Sequence, residues 1–250
     1  MTKATHSLVR PLPPQRVVEL EAQPVDIAFD LSRTALIVID MQNDFCHPQG
    51  WFGARGVSTD AAIALCPGIN LLTRSLRAFN VPVIWLNWGV RGDRAELSET
   101  LIMRGGAFSG LPSYGDASST GQGNILVEGS WGAELFEDIE AAPSDLVVHK
   151  NRLSGFWNTA LDAILRNRQV TTLLFAGINT DRCVFSTLQD AGFLGYDCVL
   201  LSDLAATSSN SSVSEAAMQI ITLLHGFTAL GGQLATIMAN AQQPFQTSPK

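Results

Sequence analysis

The fold of this chain is indicated first by the stretch Thr34-Ala35-Leu36-Ile37-Val38-Ile39-Asp40. A near-continuous apolar run of this kind is typical of a central parallel strand that is buried on both faces. Open α/β sheets bind ligands in the crevice beyond the carboxyl ends of their strands, so we expect the Asp40 side chain to face such a crevice. The simpler interpretation is that Asp40 caps the turn that follows.

Two further strands are predicted to end near reactive side chains. The stretch Asp145-Leu146-Val147-Val148-His149-Lys150 closes on Lys150, and Thr172-Leu173-Leu174-Phe175-Ala176 leads into a turn that contains Cys183. Taken alone, Lys150 could be a solvated strand end and Cys183 a buried structural residue. Together with Asp40 they supply a base, a cation and a nucleophile, a set that acyl-transfer chemistry uses directly.

Cys183 is predicted to lie at a strand-to-helix turn, because the residues from Phe185 to Ala191 that follow it have a helical pattern. A helix N-terminus presents unpaired N–H groups and the positive end of the helix dipole. These groups lower the pKa of a thiol and can hold an oxyanion, so we expect a nucleophilic cysteine with a lowered pKa.

Composition favours a soluble protein that acts on small molecules. The chain has 250 residues, 46% of them hydrophobic, with a net charge of −7 and a pI near 5.0. This excess of acidic residues, together with the lack of a basic cluster, predicts no nucleic-acid partner and no membrane partner. The N-terminal residues lack an apolar leader and the cysteines at 46, 66, 183 and 198 lack C-x-x-C spacing. We therefore expect a cytoplasmic protein with reduced thiols.

The alternation of strands and helices predicts one doubly wound α/β domain over residues 26–241, with helices on both faces of a mostly parallel, six-stranded sheet. We expect a Pro-rich arm at 1–25 that lies on the surface or on a neighbouring subunit, a C-terminal tail at 242–250, and a homo-oligomer, either a dimer or a tetramer. A lid-like insertion is expected over 88–124, which is long, rich in Gly and Ser and poor in periodicity. The strands are predicted at 34–40, 81–87, 145–150, 171–176, 196–202 and 227–230, and the helices at about 60–79, 158–168, 183–195, 212–225 and up to 241.

No motif for a cofactor or a metal is found. Gly50, Gly53 and Gly56 lie far from a strand end and lack the spacing of a dinucleotide-binding loop. The four histidines are scattered and form no cluster with the spacing of metal ligands. We therefore expect an enzyme without a cofactor and without a metal site.

These features resemble the isochorismatase-like cysteine hydrolases, which have a three-layer, Rossmann-like fold. The resemblance covers residues 26–240 and rests on Val38-Ile39-Asp40-Met41-Gln42-Asn43-Asp44-Phe45, on Lys150 at a strand end, and on Gly177-Ile178-Asn179-Thr180-Asp181-Arg182-Cys183-Val184. Within that superfamily the sequence is most similar to ureidoacrylate amidohydrolases, through stretches such as Ser154-Gly155-Phe156-Trp157-Asn158-Thr159. Biuret hydrolases and N-carbamoylsarcosine amidases are more distant. Asn87-Trp88-Gly89-Val90-Arg91 and Leu153 depart from the ureidoacrylate pattern.

The resemblance implies roles for the residues of the three strand ends. Asp40 accepts the thiol proton, Lys150 favours the thiolate, and Cys183 attacks a urea or amide carbonyl to form a thioester. The backbone N–H groups of Asn179 and Cys183 form the oxyanion hole, with a cis peptide bond between Ile178 and Asn179. The candidates for substrate binding are Phe45, Asn87, Trp88, Arg91 and Trp157.

The expected function is an amidohydrolase of a small N-carbamoyl or ureido compound, with Arg91 binding a substrate carboxylate or else lying solvated in its loop. A carbamate, anilide or biuret-type hydrolase remains open, because Trp88, Leu153 and Trp157 could wall a more apolar cavity. A non-catalytic binding protein on the same scaffold is the alternative from another class.

Overall fold

The computed structural model describes residues 6–11 and 13–241 of the chain. Its strands are β1 (Val17–Leu20), β2 (Ala22–Gln23), β3 (Ile27–Asp30), β4 (Thr34–Ile39), β5 (Val83–Trp88), β6 (Leu146–Lys150), β7 (Thr172–Ile178), β8 (Asp197–Ala206) and β9 (Phe227–Ala229). In the described part of the chain, the main sheet has seven strands in the order β2-β9-β8-β7-β4-β5-β6. Strands β1 and β3 form a separate antiparallel ribbon.

Helices flank this sheet, as predicted. They are α1 (Asn43–Cys46), α2 (Trp51–Ala54), α3 (Asp60–Ile63), α4 (Cys66–Arg77), α5 (Glu99–Arg104), α6 (Leu161–Asn167), α7 (Phe185–Phe193), α8 (Ser211–Ile220) and α9 (Gly231–Ala241). Helix α4 packs against α9, and both α7 and α9 contact β8. The single helix predicted over 60–79 is wrong. It is two helices, because Pro67 lacks the N–H that would donate to the carbonyl oxygen of Ile63 in a continuous helix.

The core is centred on β4, whose six residues are all buried. Ile37 of this strand lies between Ile84 of β5 and Phe175 of β7 in the parallel ladders on either side. Fully burying a side chain of this size stabilises the fold by about 1.5–3 kcal/mol. The apolar stretch from Thr34 to Ile39 therefore forms the centre of the sheet.

The sheet reverses its winding between β4 and β7. From β4 the chain steps outward to β5 and β6, returns to β7 on the other side of β4, and then steps outward to β8 and β9. The strand pairs from β9 to β6 are all parallel. A reversal of this kind opens a crevice at the carboxyl ends of the two strands, where Asp40 and Asn179 lie.

The prediction of six strands is wrong, because β2 adds an antiparallel edge strand beside β9. A strand of two residues is too short to give a periodic pattern. Part of the predicted arm also folds onto the domain itself, since β1 pairs with β3 and buries Val18 and Leu20. Residues 1–5, residue 12 and the predicted tail at 242–250 lie outside the described residues.

The segment between β5 and β6 is largely irregular, as expected, but it contains α5 and a short 3₁₀ turn at Ala107–Ser109. Its backbone is tied to the end of β5 by a bridge between Val90 and Val127. Within the described residues, no helix combines the length and the apolar character that crossing a membrane requires.

Candidate active site

The structure brings the three predicted strand-end residues together. Asp40 follows β4, Lys150 ends β6, and Cys183 lies in a π-helical turn, Thr180–Val184, after β7. Lys150 Nζ donates a hydrogen bond to Asp40 Oδ2 at 2.9 Å, and both side chains are almost completely buried. Asp40 and Cys183 line the same cavity. The arrangement places a buried ion pair beside a thiol.

Burial raises the pKa of Asp40, and the positive charge of Lys150 acts in the opposite direction. Among the described residues Asp40 Oδ1 lacks a hydrogen-bond partner within normal bonding geometry, so this oxygen is available to a proton. A carboxylate with a raised pKa is a stronger base than a solvated one. Asp40 therefore has both the basicity and the free oxygen that proton transfer needs.

The expected lowering of the thiol pKa is wrong. Burial raises the pKa of Cys183 first, the negative charge of Asp40 raises it further, and Lys150 only partly offsets these effects. Helix α7 begins at Phe185, so Cys183 lies in the wider π-helical turn before it rather than in the first α-helical turn. The thiol therefore keeps its proton at neutral pH until Asp40 accepts it.

The turn after β7 is held in place by polar contacts and by one glycine. The peptide bond between Ile178 and Asn179 is cis, as the resemblance implies. Asn179 Oδ1 accepts a hydrogen bond of 2.9 Å from the backbone N–H of Ser208. At Gly177, where φ is +104°, an added Cβ would lie 2.2 Å from the carbonyl oxygen of Ile39. Only glycine lets β7 approach β4 this closely beside the reaction centre.

A cavity of about 550 Å³ opens over Cys183 and Asp40, which is within the usual size range of small-molecule sites. One part of its lining, called the aromatic wall below, consists of five rings, Phe45, Trp51, Phe52, Trp88 and Tyr114. Trp88 lies under the ammonium of Lys150, with Nζ 4.1 Å from the ring centroid, and its other neighbour is the stacked ring of Tyr114 at 4.9 Å. The aromatic wall thus extends directly from Lys150.

Two buried polar side chains just after β4, Gln42 and Asp44, hold the backbone of the aromatic wall in place through hydrogen bonds. Gln42 accepts a hydrogen bond from the backbone N–H of Trp88 and donates one to its carbonyl oxygen, both at 2.7 Å. Asp44 accepts hydrogen bonds from the N–H groups of Trp51 at 3.0 Å and Leu126 at 2.8 Å. Burial raises the pKa of Asp44 and the two backbone N–H groups lower it. Asp44 thereby joins α2 to the far end of the insertion.

The predicted substrate-binding residues divide into two groups. Phe45 and Trp88 line the cavity. The other three do not. Asn87 is buried within β5, Trp157 is exposed and donates its indole N–H to Asp190, and Arg91 is exposed and bonded to Asp93. Arg91 forms ion pairs with Asp93 and Glu96 of its own loop rather than facing the cavity.

Several cavity residues were missed by the sequence analysis. Arg104, Leu111 and Tyr114 come from the insertion, and Arg55 comes from the segment after α2. Arg182 also lines the cavity, where its guanidinium bonds Ser209 and lies 3.6 Å from Asp181. A signal for Arg55 exists in retrospect, since it follows Trp51-Phe52 and an Arg beside aromatic residues often stacks on them.

Within residues 6–11 and 13–241, no group of three or more His, Cys, Asp or Glu side chains is close enough to hold a metal ion. The cysteines at 46, 66, 183 and 198 are all buried and unpaired with one another. Whether activity depends on a metal stays a prediction that chelation can test.

Comparison with known proteins identifies relatives over most of the chain. A family model for the isochorismatase domain matches residues 34–233. A cysteine hydrolase from Pseudomonas syringae pv. phaseolicola is 26% identical with a TM-score of 0.71, covering 85% of this chain and 95% of that one. An isochorismatase family protein from Desulfovibrio vulgaris is 27% identical with a TM-score of 0.65, covering 83% and 98%. An N-carbamoylsarcosine amidase from Thermoplasma acidophilum shares the fold at 24% identity and a TM-score of 0.61, covering 80% and 96%.

Proposed function

The chain belongs to the isochorismatase family, whose members are hydrolases, and we propose that it is a cysteine-dependent amidohydrolase of a small N-carbamoyl or ureido compound. The observation that carries this proposal is the buried ion pair of Asp40 and Lys150 in the same cavity as the Cys183 thiol. A buried ion pair is a weak source of stability, so its presence at a cavity floor favours a chemical role.

The first step is transfer of the thiol proton from Cys183 to Asp40 Oδ1. The thiol cannot ionise alone at neutral pH, because burial and the nearby carboxylate raise its pKa. Passing the proton to Asp40 moves the negative charge onto sulfur without creating a new charge, and Lys150 stays beside it as the counter-ion. The thiolate then attacks the substrate carbonyl carbon and forms a C–S bond while the carbonyl π electrons move to oxygen.

The resulting oxyanion accepts hydrogen bonds from the backbone N–H groups of Asn179 and Cys183. Loss of one such donor typically lowers the rate by about 10²- to 10³-fold. The anchoring of Asn179 by Ser208 supports this role, because it fixes the backbone at the turn.

The leaving nitrogen then takes the proton from Asp40 as the C–N bond breaks. The enzyme is left with an acylated cysteine, which is a thioester for an amide substrate and the corresponding thiocarbamate for a ureido substrate. Water attacks this carbonyl, Asp40 takes one proton from the water, and the proton returns to sulfur as the C–S bond breaks. All three side chains end in their starting protonation states.

The aromatic wall favours a second class of substrate for the same chemical mechanism. Phe45, Trp88 and Tyr114 form a more apolar surface than a short ureido acid needs, and an aryl carbamate or anilide would cover more of it. Biuret is a third substrate type compatible with the same attack, although it would leave most of the wall uncovered.

Release of ammonia or amine from a panel of ureido acids, biuret, aryl carbamates and anilides tests these alternatives. We expect wild-type protein to turn over at least one N-carbamoyl or ureido compound and Cys183→Ala to turn over none. Cys198→Ala is the matched control, since Cys198 is equally buried but lies in β8 outside the cavity. Turnover of aryl carbamates alone would favour the second candidate, and equal turnover by Cys183→Ala would refute the cysteine mechanism.

A further inference from the structure

Two arginines of the cavity wall have no acidic partner. Within the described residues, Arg55 and Arg104 make no ion pair, whereas many other arginines do, namely Arg74, Arg77, Arg91, Arg94, Arg166 and Arg182. The charges of the other ionised residues in the cavity are compensated, Asp40 by Lys150 and Arg182 by Asp181. The cavity therefore carries two uncompensated positive charges in a chain whose net charge is −7.

Arg55 is held in a fixed position. Its Nη1 donates a hydrogen bond of 2.8 Å to the carbonyl oxygen of Gly105, and its guanidinium lies 4.9 Å from the ring centroid of Trp51. At Gly106, where φ is +145°, an added Cβ would lie 2.8 Å from the Pro112 carbonyl oxygen and 3.3 Å from Arg55 Nη1. The turn after α5 therefore packs closely on Arg55 and uses only one of its five N–H groups.

The two arginines mark a boundary between two cavities. Both line the catalytic cavity and also a neighbouring cavity of about 460 Å³, which is otherwise formed by residues of the insertion such as Met103 and Phe108. Arg104 is the exposed last residue of α5, where a cation is also favourable to the helix terminus. The helix dipole explains why a basic residue ends α5. It does not explain why Arg104, like Arg55, lines both cavities.

A continuous series of rings connects the catalytic lysine to Arg55. The ammonium of Lys150 lies over Trp88, Trp88 stacks on Tyr114, Tyr114 contacts Trp51 at 5.2 Å between centroids, and Arg55 lies over Trp51. Burial and the negative charge of Asp40 raise the pKa of Tyr114, while Arg182 and Arg55 lower it, so charged groups from both ends of the cavity act on this ring. The cavity thus has a reacting end and a cationic end separated by an apolar wall.

We propose that Arg55 and Arg104 form an anion-binding subsite that holds a carboxylate of the substrate at the end of the cavity remote from Cys183. The substrate class is a carboxylic acid that carries the N-carbamoyl, ureido or amide group at its other end, with a flat body that lies along the three rings. A planar carboxylate matches the donor fork of a guanidinium. The subsite rests on the proposed function for the identity of the reacting group, but its preference for a carboxylate can be measured without turnover.

The test uses Cys183→Ala protein and the binding of cinnamate and its neutral isostere cinnamamide, measured by calorimetry. We expect cinnamate to bind at least about tenfold more tightly than cinnamamide, since each tenfold corresponds to about 1.4 kcal/mol, within the range of one charged hydrogen bond. Adding Arg104→Gln is expected to weaken cinnamate binding about tenfold and to change cinnamamide binding less than twofold. The matched control is Arg91→Gln, which removes the same charge from an exposed arginine outside the cavity and should change neither.

Arg55→Gln removes a packing contact as well as a charge, so Arg55→Lys is the second variant. Lysine keeps the positive charge but lacks the paired N–H donors of the guanidinium. We therefore expect a loss of cinnamate affinity smaller than that in Arg55→Gln, with an unchanged midpoint of thermal unfolding. Equal affinity for the acid and the amide, or equal weakening of both by Arg104→Gln, would overturn the subsite.

Kinetics separate a failure of the subsite from a failure of the proposed function. For a ureido acid and its primary amide, Arg104→Gln should raise KM about tenfold for the acid only and leave kcat within twofold. If wild-type protein turned over no ureido compound while Cys183→Ala kept its preference for cinnamate, the proposed function would fail and the subsite would stand. If the acid were turned over but its KM were unchanged in Arg104→Gln, the subsite would fail and the function would stand.

Discussion

Lys150 Nζ lies 2.9 Å from Asp40 Oδ2 in a position where neither side chain reaches solvent. The two residues come from strands separated by β5, so the sheet itself sets this contact. Because the desolvation of two charges offsets most of their attraction, the pair adds little net stability. Removing one member is nevertheless strongly destabilising, because it leaves the other charge buried and unpaired.

Lys150→Met is expected to lower the free energy of unfolding by about 3–5 kcal/mol, because it leaves Asp40 charged and unpaired in the interior. Asp40→Asn combined with Lys150→Met should recover much of this loss, since no unpaired charge then remains. Urea unfolding of the two single variants and the double variant measures the coupling. Additive losses in the double variant would show that the two groups do not interact in the folded protein.

The same lysine sets the pH dependence of turnover. Lys150 lowers the pKa of Asp40 against the effect of burial, so its removal raises that pKa further. Asp40 is then protonated over a wider pH range and accepts the thiol proton less readily. We expect the acidic limb of the kcat/KM profile to move to higher pH in Lys150→Met, and an unmoved limb would exclude this electrostatic role.

Asp40→Asn is expected to slow the alkylation of Cys183 by iodoacetamide at least about tenfold at pH 7, because the thiol loses the base that accepts its proton. Asp93→Asn is the control, since Asp93 is an exposed carboxylate outside the cavity. Peptide mapping after timed alkylation measures the rate at Cys183 itself. A wild-type rate in Asp40→Asn would mean that another group ionises the thiol.

Asp145, which directly precedes β6, should make stability depend on pH. Burial raises its pKa, but hydrogen bonds from Arg77, Ala142 and Trp85 outweigh burial, so the pKa is lowered below 3.8 in the folded protein. The folded state therefore prefers the ionised form. The resulting stability is present above the unfolded pKa and is lost as pH falls from about 3.8 through the folded value.

We accordingly expect Asp145→Asn to lower the free energy of unfolding by about 1.5–3 kcal/mol at pH 7 and by progressively less toward pH 3, measured by urea unfolding. Glu140→Gln is the matched control, because Glu140 also faces an arginine but is more than half exposed, and its effect should stay within about 1 kcal/mol. A pH-independent loss in Asp145→Asn would assign Asp145 a packing role only.

Dialysis against a strong chelator is expected to leave turnover unchanged, since the proposed steps use only Asp40, Lys150 and Cys183. The measurement is kcat before and after dialysis, with elemental analysis of the dialysed protein. Loss of activity that added Zn²⁺ restores would contradict the metal-independent mechanism.

The sequence predicted the centre of the fold well because buried parallel strands leave a strong local pattern. The run 35–39 is apolar at every position and leads directly into Asp40, and this pattern alone placed an acid at the crevice. Lys150 and Cys183 were found by the same reasoning, since Lys150 ends a strand and Cys183 closely follows one. The edge strand β2 was missed because a strand of two residues is too short to show an alternating pattern. Its pairing with β9 also joins residues that lie far apart in the sequence.

The cavity wall was predicted poorly because it is built by loops. Arg91 lies close in sequence to Trp88, yet it pairs with Asp93 and does not line the cavity, whereas Arg104 and Tyr114 of the same insertion do. The direction of the thiol pKa also depends on three-dimensional information. Burial and the distance to Asp40 outweigh the helix terminus, and neither quantity can be read from the sequence around Cys183.

The central claim is that Cys183 becomes covalently acylated, and the most direct test is the intact mass of protein quenched in acid during turnover of a ureido or carbamate substrate. We predict a mass increase equal to the transferred carbamoyl or acyl group, located on Cys183 by peptide mapping and absent in Cys183→Ala. Full turnover with no adduct on Cys183 at any quench time, together with wild-type activity in Cys183→Ala, would contradict the account.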